Sequence, residues 1–366
     1  MHSLRRLTIG VSLPSGRRTL STSSKVVFSG IQPTGTPHIG NYAGAIREWV
    51  KLQHDPDENC RRFFSVVDLH AITNSQYAPQ LRQRKRETLA ALLATGLDPK
   101  KSVLFYQSSV PAHTELMWIL SCTASTGYLS RMTQWKSKLG LSPHTSLQDG
   151  GVKASLKLGL FSYPVLQAAD ILVHRATHVP VGDDQRQHLE FARECVTNFN
   201  HAYGPHLRPP QTIISSSRRI MSLQQPAKKM SKSDVDPKSC ILITDTPEEI
   251  RRKVMAALTD SMNFVSFDPD ARPGVSNLLG ILSIFDSSGR DPAQLAKVLE
   301  NRSLMDLKQL VTDAAISGLQ GIRQRYIGFL SADEGKYIDW VEAEGARRAR
   351  ENAEETMVLV RQATGL

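Results

Sequence analysis

The chain has 366 residues, which is long enough for two domains of roughly 100 to 200 residues each. Its hydrophobic fraction of 40% and charged fraction of 22% are ordinary for a soluble globular protein, and no segment approaches the roughly 18 consecutive apolar residues of a membrane helix. The formal net charge of +10 favours a polyanionic partner such as nucleic acid.

The first residues, 1–24, differ in composition from the rest of the chain. They are rich in Arg and Ser, and no acidic residue occurs before Glu48. This composition is typical of an organellar transit peptide, and the alternative is a disordered basic arm that binds RNA. We therefore exclude residues 1–24 from the fold and expect a mitochondrial matrix address, with cleavage in the region 17–24.

Predicted strands and helices alternate after this segment. Short apolar runs at 26–28, 63–67 and 103–106 predict three strands, and helical periodicity over 79–97 separates the second from the third. A turn rich in Gly, Pro and Thr follows the first strand, and a helix begins near Asn41. This alternation predicts right-handed crossovers and a parallel sheet.

An apolar helical segment at 111–140 follows the third strand. It is followed at 141–157 by a stretch rich in Gly, Ser and Lys that we predict to be a loop. Together they form an insertion, about 111–160, that we expect to pack against a second copy of itself.

The sheet is predicted to end shortly after this insertion. A helix is expected from Tyr163 to Leu172, and the apolar run 179–182 is predicted to be the last strand, leading into a helix at Asp183.

The remainder of the chain is predicted to be helical. Thr246 can cap a helix that opens at Pro247, and helical patterns continue to the end of the sequence. We therefore predict an α/β catalytic domain at 25–245 and an all-helical domain at 246–366.

The cysteines carry no sign of metal binding or cross-linking. They form no C-x-x-C pair and have no histidine at ligand spacing, so neither a zinc site nor a disulfide framework is indicated. The four are Cys60, Cys122, Cys195 and Cys240.

The tetrapeptide HIGN follows the first strand and its glycine-rich turn. It consists of His38, Ile39, Gly40 and Asn41, at the start of the predicted helix. Exposed backbone N–H groups and the positive end of a helix attract phosphate. Gly40 leaves room for adenine and ribose, and His38 can donate to a phosphate oxygen. The alternative is a Pro/Gly turn with an incidental exposed histidine.

The pentapeptide KMSKS occupies residues 229–233. Its cationic side chains and small hydroxyl residues suit a mobile loop that wraps a polyanion and releases it, and the flexible lysine stem can follow a departing phosphate group. The alternative is a solvated basic loop. Lys228 precedes the motif and is expected to be solvated.

HIGN after the first strand and KMSKS after the last resemble the class I aminoacyl-tRNA synthetases. Within that class, the chain resembles the tryptophanyl branch, specifically its mitochondrial type. The resemblance implies a Rossmann-like parallel-sheet catalytic domain followed by a helical tRNA anticodon-binding domain. Its six segments, in family order, are FSGIQPTG with HIGN, DLHAIT at 68–73, YPVLQAADIL at 163–172, VPVGDDQRQH at 179–188, KMSKS, and GVSNLL at 274–279.

The resemblance implies a set of ATP-binding residues. Lys229, Lys232 and Asn41 of this set, together with His38, are expected to be catalytic. Lys138 is assigned to the α-phosphate, although the loop after it departs from the family pattern. The ATP-binding set is Gln32, Pro33, Thr34, Gly40, Asn41, His70, Gly182, Asp183, Asp184, Ile220, Lys229, Met230, Ser231, Lys232 and Ser233.

The resemblance also implies a tryptophan-binding set. Asp170 would accept a hydrogen bond from the indole N–H, and a buried carboxylate left without that donor would reject phenylalanine. Tyr163 and Gln185 would engage the substrate ammonium and carboxylate, and Gln167 replaces a methionine of the bacterial members. The set is Phe28, Gly30, Tyr163, Gln167, Asp170, Val179, Val181 and Gln185.

The implied reaction is the activation of tryptophan by ATP, followed by transfer of tryptophan to tRNA(Trp) for mitochondrial protein synthesis. Mg²⁺ would enter with ATP and needs no dedicated protein site. We expect a homodimer, and neither DNA nor a membrane as a partner. The arginines assigned to the tRNA anticodon are Arg323, Arg325, Arg347, Arg348 and Arg350.

Three other functions share part of these features. A tyrosyl-tRNA synthetase differs only in its amino acid. A small-molecule nucleotidyltransferase of the same superfamily keeps a HIGH-like turn but does not need the helical domain. A non-catalytic RNA-binding descendant of a synthetase would show decay of the nucleotide residues, and the intact HIGN, GDDQ and KMSKS argue against it.

Overall fold

The computed structural model describes residues 25–57, 59–214, 219–232 and 234–366. The predicted transit peptide and Ser233 lie outside the described residues. Within them the chain forms a parallel sheet surrounded by helices, followed by a predominantly helical region.

The sheet has five parallel strands in the order β3-β2-β1-β4-β5. The parallel arrangement is confirmed, but the prediction that the sheet ends with the strand at 179–182 is wrong, because a further strand follows it. That strand lies at the edge of the sheet and has a short, half-polar sequence, QTII. The strands are β1 Val26–Ile31, β2 Arg61–Val66, β3 Val103–Tyr106, β4 His178–Val181 and β5 Gln211–Ile214.

Ten α-helices accompany the sheet in the described part of the chain up to β5. A π-helical turn, Tyr42–Ile46, joins the first two into one continuous helix, and three-residue 3-10 turns occur at Gln107–Ser109 and Asp183–Gln185. The helices are α1 Ile39–Asn41, α2 Arg47–Leu52, α3 Asp68–Ala71, α4 Ala78–Ala94, α5 Ala112–Ser121, α6 Thr126–Arg131, α7 Thr133–Lys138, α8 Val152–Ser155, α9 Leu158–Val173 and α10 Arg186–Tyr203.

Several boundaries differ from the prediction. α9 begins at Leu158, before the expected Tyr163, and α8 forms within the segment that was predicted to be a loop. β1 continues through Gly30 to Ile31, beyond the apolar run that predicted it. In β1 the strand thus continues past both the apolar run and the buried residues, which end at Ser29.

Six α-helices make up the region after residue 246. Thr246 caps the first of them through a capping box with Glu249, as its sequence predicted. No helix of the described residues is both long and apolar enough to cross a membrane. The helices are α11 Pro247–Met255, α12 Pro273–Phe285, α13 Pro292–Val298, α14 Leu304–Gly318, α15 Ile322–Ser331 and α16 Lys336–Thr364.

The last helix, α16, packs against the sheet rather than against the other C-terminal helices alone. A Cβ atom on Gly345 would lie 1.7 Å from the carbonyl oxygen of Leu104 in β3, so only glycine allows this approach. Further along α16, Ala349, Ala353 and Met357 belong to the same buried cluster as β1 and α9. The predicted domain boundary between residues 245 and 246 remains a prediction. α16 belongs to the second predicted domain and packs against the sheet of the first.

The strand order places a crevice at the carboxyl end of the sheet. β1 lies between β2 and β4: from β1 the chain winds outward to β2 and β3 on one side, then crosses to β4 and β5 on the other. Ligands of open α/β folds bind at such a switch point, outside the carboxyl ends of the strands. The segments after Ile31 and Val181 therefore border the place where a site is expected.

Candidate active site

A cavity of about 290 Å³, here called the central cavity, opens at this switch point. Its walls come from β1, β4 and α9, and its volume is near the lower end of the range for small-molecule sites. All eight residues of the predicted tryptophan-binding set line it. They are Phe28, Gly30, Tyr163, Gln167, Asp170, Val179, Val181 and Gln185.

Asp170 is a buried carboxylate held by three donors. Gln107 Nε2 lies 2.7 and 2.9 Å from its two oxygens, His113 Nδ1 lies 2.6 Å from Oδ1, and His70 Nε2 lies 2.8 Å from Oδ2. Burial raises the pKa of Asp170, but the hydrogen bonds from His113 and His70 outweigh it and hold the pKa below its usual value. The carboxylate is therefore ionised at neutral pH.

These three donors change the reason for expecting Asp170 to favour tryptophan strongly over phenylalanine. The expected discrimination assumes a carboxylate that is unpaired when no indole is bound. It is instead paired by the protein, so a substrate without an N–H loses one hydrogen bond and does not leave an uncompensated buried charge. His70, which was predicted to lie near the adenylate, both lines the central cavity and contacts Asp170.

Gln107 is a site residue that the sequence analysis missed. Its Oε1 accepts from the backbone N–H of Leu69 at 3.0 Å and of His70 at 3.4 Å, while its Nε2 donates to Asp170. It comes directly after β3, and a polar residue at the carboxyl end of a parallel strand is the signal that could have identified it. Gln107 fixes α3 and the carboxylate relative to each other.

A second polar group lies around Tyr163. The Tyr163 hydroxyl is 2.8 Å from His188 Nε2 and 3.3 Å from Gln134 Oε1, and the Lys138 ammonium lies 4.4 Å from the centre of the Tyr163 ring. Burial raises the pKa of Tyr163 and lowers that of Lys138. A cation over an aromatic face is favourable, and it places Lys138 at the wall of the cavity.

Gln167 forms a hydrogen bond within the pocket. Its Nε2 donates to Gln185 Oε1 at 3.2 Å, and Gln185 Nε2 donates to Asp184 Oδ2 at 3.1 Å. Gln134 donates to the carbonyl oxygen of Asp184 at 2.6 Å. A polar side chain in place of methionine is thus satisfied by its neighbours.

His38 is the N-cap of α1. Its Nδ1 accepts from the backbone N–H of Gly40 at 3.0 Å and of Asn41 at 3.3 Å, and Asn41 Oδ1 accepts from the His38 N–H at 3.1 Å. Burial and, secondarily, Lys232 and Lys229 lower the pKa of His38 to about 4. The ring is therefore neutral at neutral pH and carries its proton on Nε2.

This cap corrects one expectation about HIGN. The N–H groups of Gly40 and Asn41, which were expected to face phosphate, already donate to His38. A Cβ atom on Gly40 would lie 2.8 Å from the His38 ring, so the glycine makes room for the histidine. Its role beside adenine and ribose remains a prediction. The Nε2–H of His38 is the donor that the motif offers to a phosphate oxygen.

The KMSKS segment lies against the turn that precedes HIGN. Lys232 Nζ donates to the carbonyl oxygens of Thr34 and Thr36, each at 2.6 Å, although the residues are 198 and 196 positions apart. Met230 is buried and Lys229 is exposed. Burial lowers the pKa of Lys232 to about 8.

Backbone hydrogen bonds join the two motifs directly. The N–H of Ile39 donates to the carbonyl oxygen of Ile241 at 2.9 Å, and the N–H of Ile243 donates to that of Pro37 at 3.1 Å. The residues that follow KMSKS are therefore anchored on the HIGN turn, and the two motifs form one surface at the carboxyl end of β1.

The remaining residues predicted for ATP lie around the same surface. Gln32 lines the central cavity, Pro33 is in the turn after β1, and Gly182 follows β4. A Cβ atom on Gly40 would lie 3.5 Å from the Cβ of Ile220, so these two positions are neighbours. The structure brings these residues together, and their roles remain predictions.

Comparison with known proteins decides the family. Residues 21–320 match the family model of class I tRNA synthetases for W and Y. A mitochondrial tryptophan–tRNA ligase of Schizosaccharomyces pombe is 44% identical over 93% of this chain and 95% of its own length. This chain belongs to the tryptophan–tRNA ligase family. The mitochondrial tryptophan–tRNA ligase of Saccharomyces cerevisiae is 42% identical over 94% of this chain and 91% of its own length.

Solved structures of tryptophanyl-tRNA synthetases have the same fold. The enzyme from Mycoplasma pneumoniae matches 94% of this chain and 98% of its own with a TM-score of 0.80 and 33% identity. The enzyme from Campylobacter jejuni, complexed with ADP and tryptophan, matches 93% of this chain and 100% of its own with a TM-score of 0.73 and 31% identity. The class I synthetase fold is thus confirmed for this tryptophan–tRNA ligase.

The C-terminal arginines of this tryptophan–tRNA ligase bind its own chain. Arg323 donates to the carbonyl oxygen of Thr244 at 2.9 Å and Arg325 to that of Ala94 at 2.8 Å. Arg348 donates to the Pro99 carbonyl and Arg350 to the Ser109 carbonyl, so these contacts attach the C-terminal helices to the catalytic region. Arg347 instead pairs with Glu344 and Glu351 of its own helix. The role of these arginines at the anticodon remains a prediction.

Proposed function

We propose that the central cavity binds tryptophan and that the surface formed by HIGN and KMSKS binds ATP, so that the two react where these regions meet. The observation that carries this proposal is the contact of Lys232 with Thr34 and Thr36, which joins the two phosphate-binding motifs beside the cavity. ATP enters as its magnesium complex, with the metal carried by the phosphates.

Tryptophan recognition is assigned to the two polar ends of the cavity. Asp170 accepts the indole N–H, while Tyr163 and Gln185 face the ammonium and carboxylate groups. Val179 and Val181 form the wall between them. This assignment rests on the lining of the cavity and on the ionised state of Asp170.

The first step is adenylate formation. The tryptophan carboxylate attacks the α-phosphorus in line, and pyrophosphate leaves; because the nucleophile is already ionised, the protein positions the reactants and stabilises charge. Lys229 and Lys232 neutralise the departing pyrophosphate, and His38 Nε2–H donates to a phosphate oxygen. Lys138, at the wall of the cavity, is placed to reach the α-phosphate.

The second step is transfer to tRNA. The terminal ribose 2′-hydroxyl of tRNA(Trp) attacks the mixed anhydride and releases AMP. The closed KMSKS segment must exclude water at this stage, because the adenylate hydrolyses readily.

We assign the protein to the mitochondrial matrix and expect it to act as a homodimer. Two fungal relatives are named mitochondrial, and residues 1–24 have the composition of a transit peptide. The insertion about 111–160 presents Trp118 and Leu158 with 73% and 77% exposure, which suits a surface that a second subunit covers.

The test is ATP–pyrophosphate exchange with tryptophan and with tyrosine. We expect exchange with tryptophan and little with tyrosine; exchange with tyrosine alone would contradict the assignment of the pocket. Charging of organellar and cytosolic tRNA(Trp) then distinguishes the mitochondrial role from a cytosolic one, and no charging of either would contradict the second step. A fluorescent protein carrying residues 1–24 is expected to enter mitochondria.

A further inference from the structure

A row of buried hydrogen bonds runs from the central cavity to the C-terminal helix. His113 Nδ1 is 2.6 Å from Asp170 Oδ1, His113 Nε2 is 3.2 Å from His174 Nε2, and His174 Nδ1 is 2.9 Å from Asn352 Oδ1. Asp170 is in α9 and His113 in α5, His174 follows directly after α9, and Asn352 is in α16. Each is at most 6% exposed. Asp170 lines the central cavity, His113 and His174 lie behind it in the core, and Asn352 borders a second cavity at the other end of the row.

Aromatic rings surround the two histidines of the row, which are fully buried. Phe63 stacks on His174 with ring centres 4.5 Å apart, and Phe28 stacks on it at 5.7 Å. In such an environment each hydrogen bond is electrostatically stronger than in water, and the loss of one partner is costly. The orientation of each member is therefore coupled to its neighbours.

The protons of the row can be assigned from its acceptors. The ionised Asp170 only accepts, so His113 donates through Nδ1–H, which leaves Nε2 as its acceptor when the ring is neutral. His174 then donates through Nε2–H and needs a donor at Nδ1. Burial lowers the pKa of His174 to about 3, so this ring is neutral.

The amide of Asn352 is the group that can supply this donor. In the described part of the chain, Asn352 Nδ2 has no partner while Oδ1 faces His174 Nδ1. Turning the amide over exchanges these two atoms with almost no change in the shape of the side chain. The buried amide nitrogen then has an acceptor. Asn352 on α16 thereby completes a row of hydrogen bonds that all run toward the carboxylate.

We propose that Asn352, His174 and His113 are positioning residues that hold Asp170 in the orientation required to accept the indole N–H, so that α16 contributes to the choice of tryptophan. This inference rests on the proposed role of Asp170. It concerns residues that do not touch the substrate, and it predicts a defect limited to the indole N–H contact.

The test uses the full chain and two substrates, tryptophan and its benzothienyl analogue, in which sulfur replaces the indole N–H. In the Asn352→Leu variant, kcat/KM for pyrophosphate exchange should fall about tenfold with tryptophan and little with the analogue, as expected for one weakened hydrogen bond. KM for ATP should not change. Equal losses with both substrates would show a general structural defect and overturn the proposal.

Thr356→Val is the matched control. Thr356 is on the same helix, is 1% exposed, and in the described residues its hydroxyl has no hydrogen-bond partner. It should leave the ratio of the two kcat/KM values unchanged. If Asn352→Leu does not fold, Asn352→Asp replaces it: this carboxylate cannot donate to His174, and an unchanged ratio in this variant would overturn the proposal.

Asp170→Asn separates this inference from the proposed function. If Asp170→Asn alone leaves the substrate ratio unchanged, the assignment of Asp170 to the indole fails. If Asp170→Asn lowers the ratio but Asn352→Leu does not, the positioning role fails and the assignment stands. If each of the two variants lowers the ratio of kcat/KM with tryptophan to kcat/KM with the analogue, the double variant should have the same ratio as Asp170→Asn alone.

Discussion

The side-chain amide of Asn277 forms two hydrogen bonds with the backbone of Met221. The N–H of Met221 donates to Oδ1 and Nδ2 donates to the carbonyl oxygen of Met221, both at 2.9 Å. Met221 in turn forms a backbone bridge with Lys229, the first residue of KMSKS. Asn277, in α12 and in the segment GVSNLL, therefore fixes the base of the phosphate-binding loop.

We expect Asn277→Ala to weaken ATP binding more than tryptophan binding. Loss of both hydrogen bonds frees Met221 and the loop behind it. Because each buried hydrogen bond contributes about 1 kcal/mol, kcat/KM for ATP should fall about tenfold or more. Pyrophosphate exchange at varied ATP concentrations measures this fall in kcat/KM. Ser283→Ala, in the same helix, removes a hydroxyl that contacts only the Gly280 carbonyl among the described residues and is the control. Equal effects of the two changes would contradict this role.

The lysines of the loop have different expected roles. Lys232→Ala should lower kcat for pyrophosphate exchange about 10²- to 10³-fold, the loss typical of one charge-stabilising group in a transition state. Tryptophan binding, measured by calorimetry, should remain close to that of the unchanged protein. Lys228 is exposed and outside the motif, so Lys228→Ala is the matched control. A comparable loss in the control would mean that the loop acts only through its total charge.

The pKa of Lys232 predicts a pH dependence. Burial lowers this pKa to about 8, so the ammonium is charged below pH about 8 and loses its charge as the pH rises through that value. At saturating tryptophan, kcat/KM for ATP should therefore fall on the alkaline side with an apparent pKa of about 8, because this quantity reports the free enzyme. Lys232→Arg stays charged and should move this limb to higher pH. If the alkaline fall in kcat/KM stays at the same pH in Lys232→Arg, a group other than Lys232 causes it.

The positions of the cavity residues were predictable because they belong to contiguous motifs. FSGIQPTG and VPVGDDQRQH contain the carboxyl ends of β1 and β4, and YPVLQAADIL lies in the helix before β4. Their side chains therefore converge once the sheet is parallel. Gln107 and His113 belong to none of these motifs. They reach Asp170 only through the packing of α5 and the turn after β3, and a local pattern does not show such long-range contacts.

The fold was predictable where local patterns are strong. The apolar runs of β2 and β3 and the capping box at Thr246 are local signals and appear as expected. β5 has only four residues, of which two are polar, and it lies at the edge of the sheet, so its apolar run is too short to stand out in the sequence. The return of α16 to β3 depends on Gly345, whose small size is visible in the sequence but whose neighbour is not.

The two roles of His38 can be separated by substitution. His38→Asn keeps a side-chain acceptor for the N–H groups of Gly40 and Asn41 but lacks the Nε2–H donor. Exchange activity should fall in His38→Asn and in His38→Ala, whereas thermal stability should fall mainly in His38→Ala, by about 1 kcal/mol for a lost N-cap. Unchanged exchange in His38→Asn would show that the histidine acts only as a cap.

The packing of α16 on β3 predicts a large difference between two glycines. Gly345→Ala places a Cβ atom against the Leu104 carbonyl and should destabilise the protein by about 1 to 3 kcal/mol, as for an overpacked core. Gly328 lies within α15, and a Cβ atom there meets nothing within 4 Å among the described residues. Gly328→Ala should therefore be neutral or stabilise the protein by up to about 1 kcal/mol, because alanine favours the helix. Chemical denaturation measures both. If Gly345→Ala were as stable as Gly328→Ala, α16 would not lie on the sheet in solution, and the link from Asn352 to Asp170 would be lost with it.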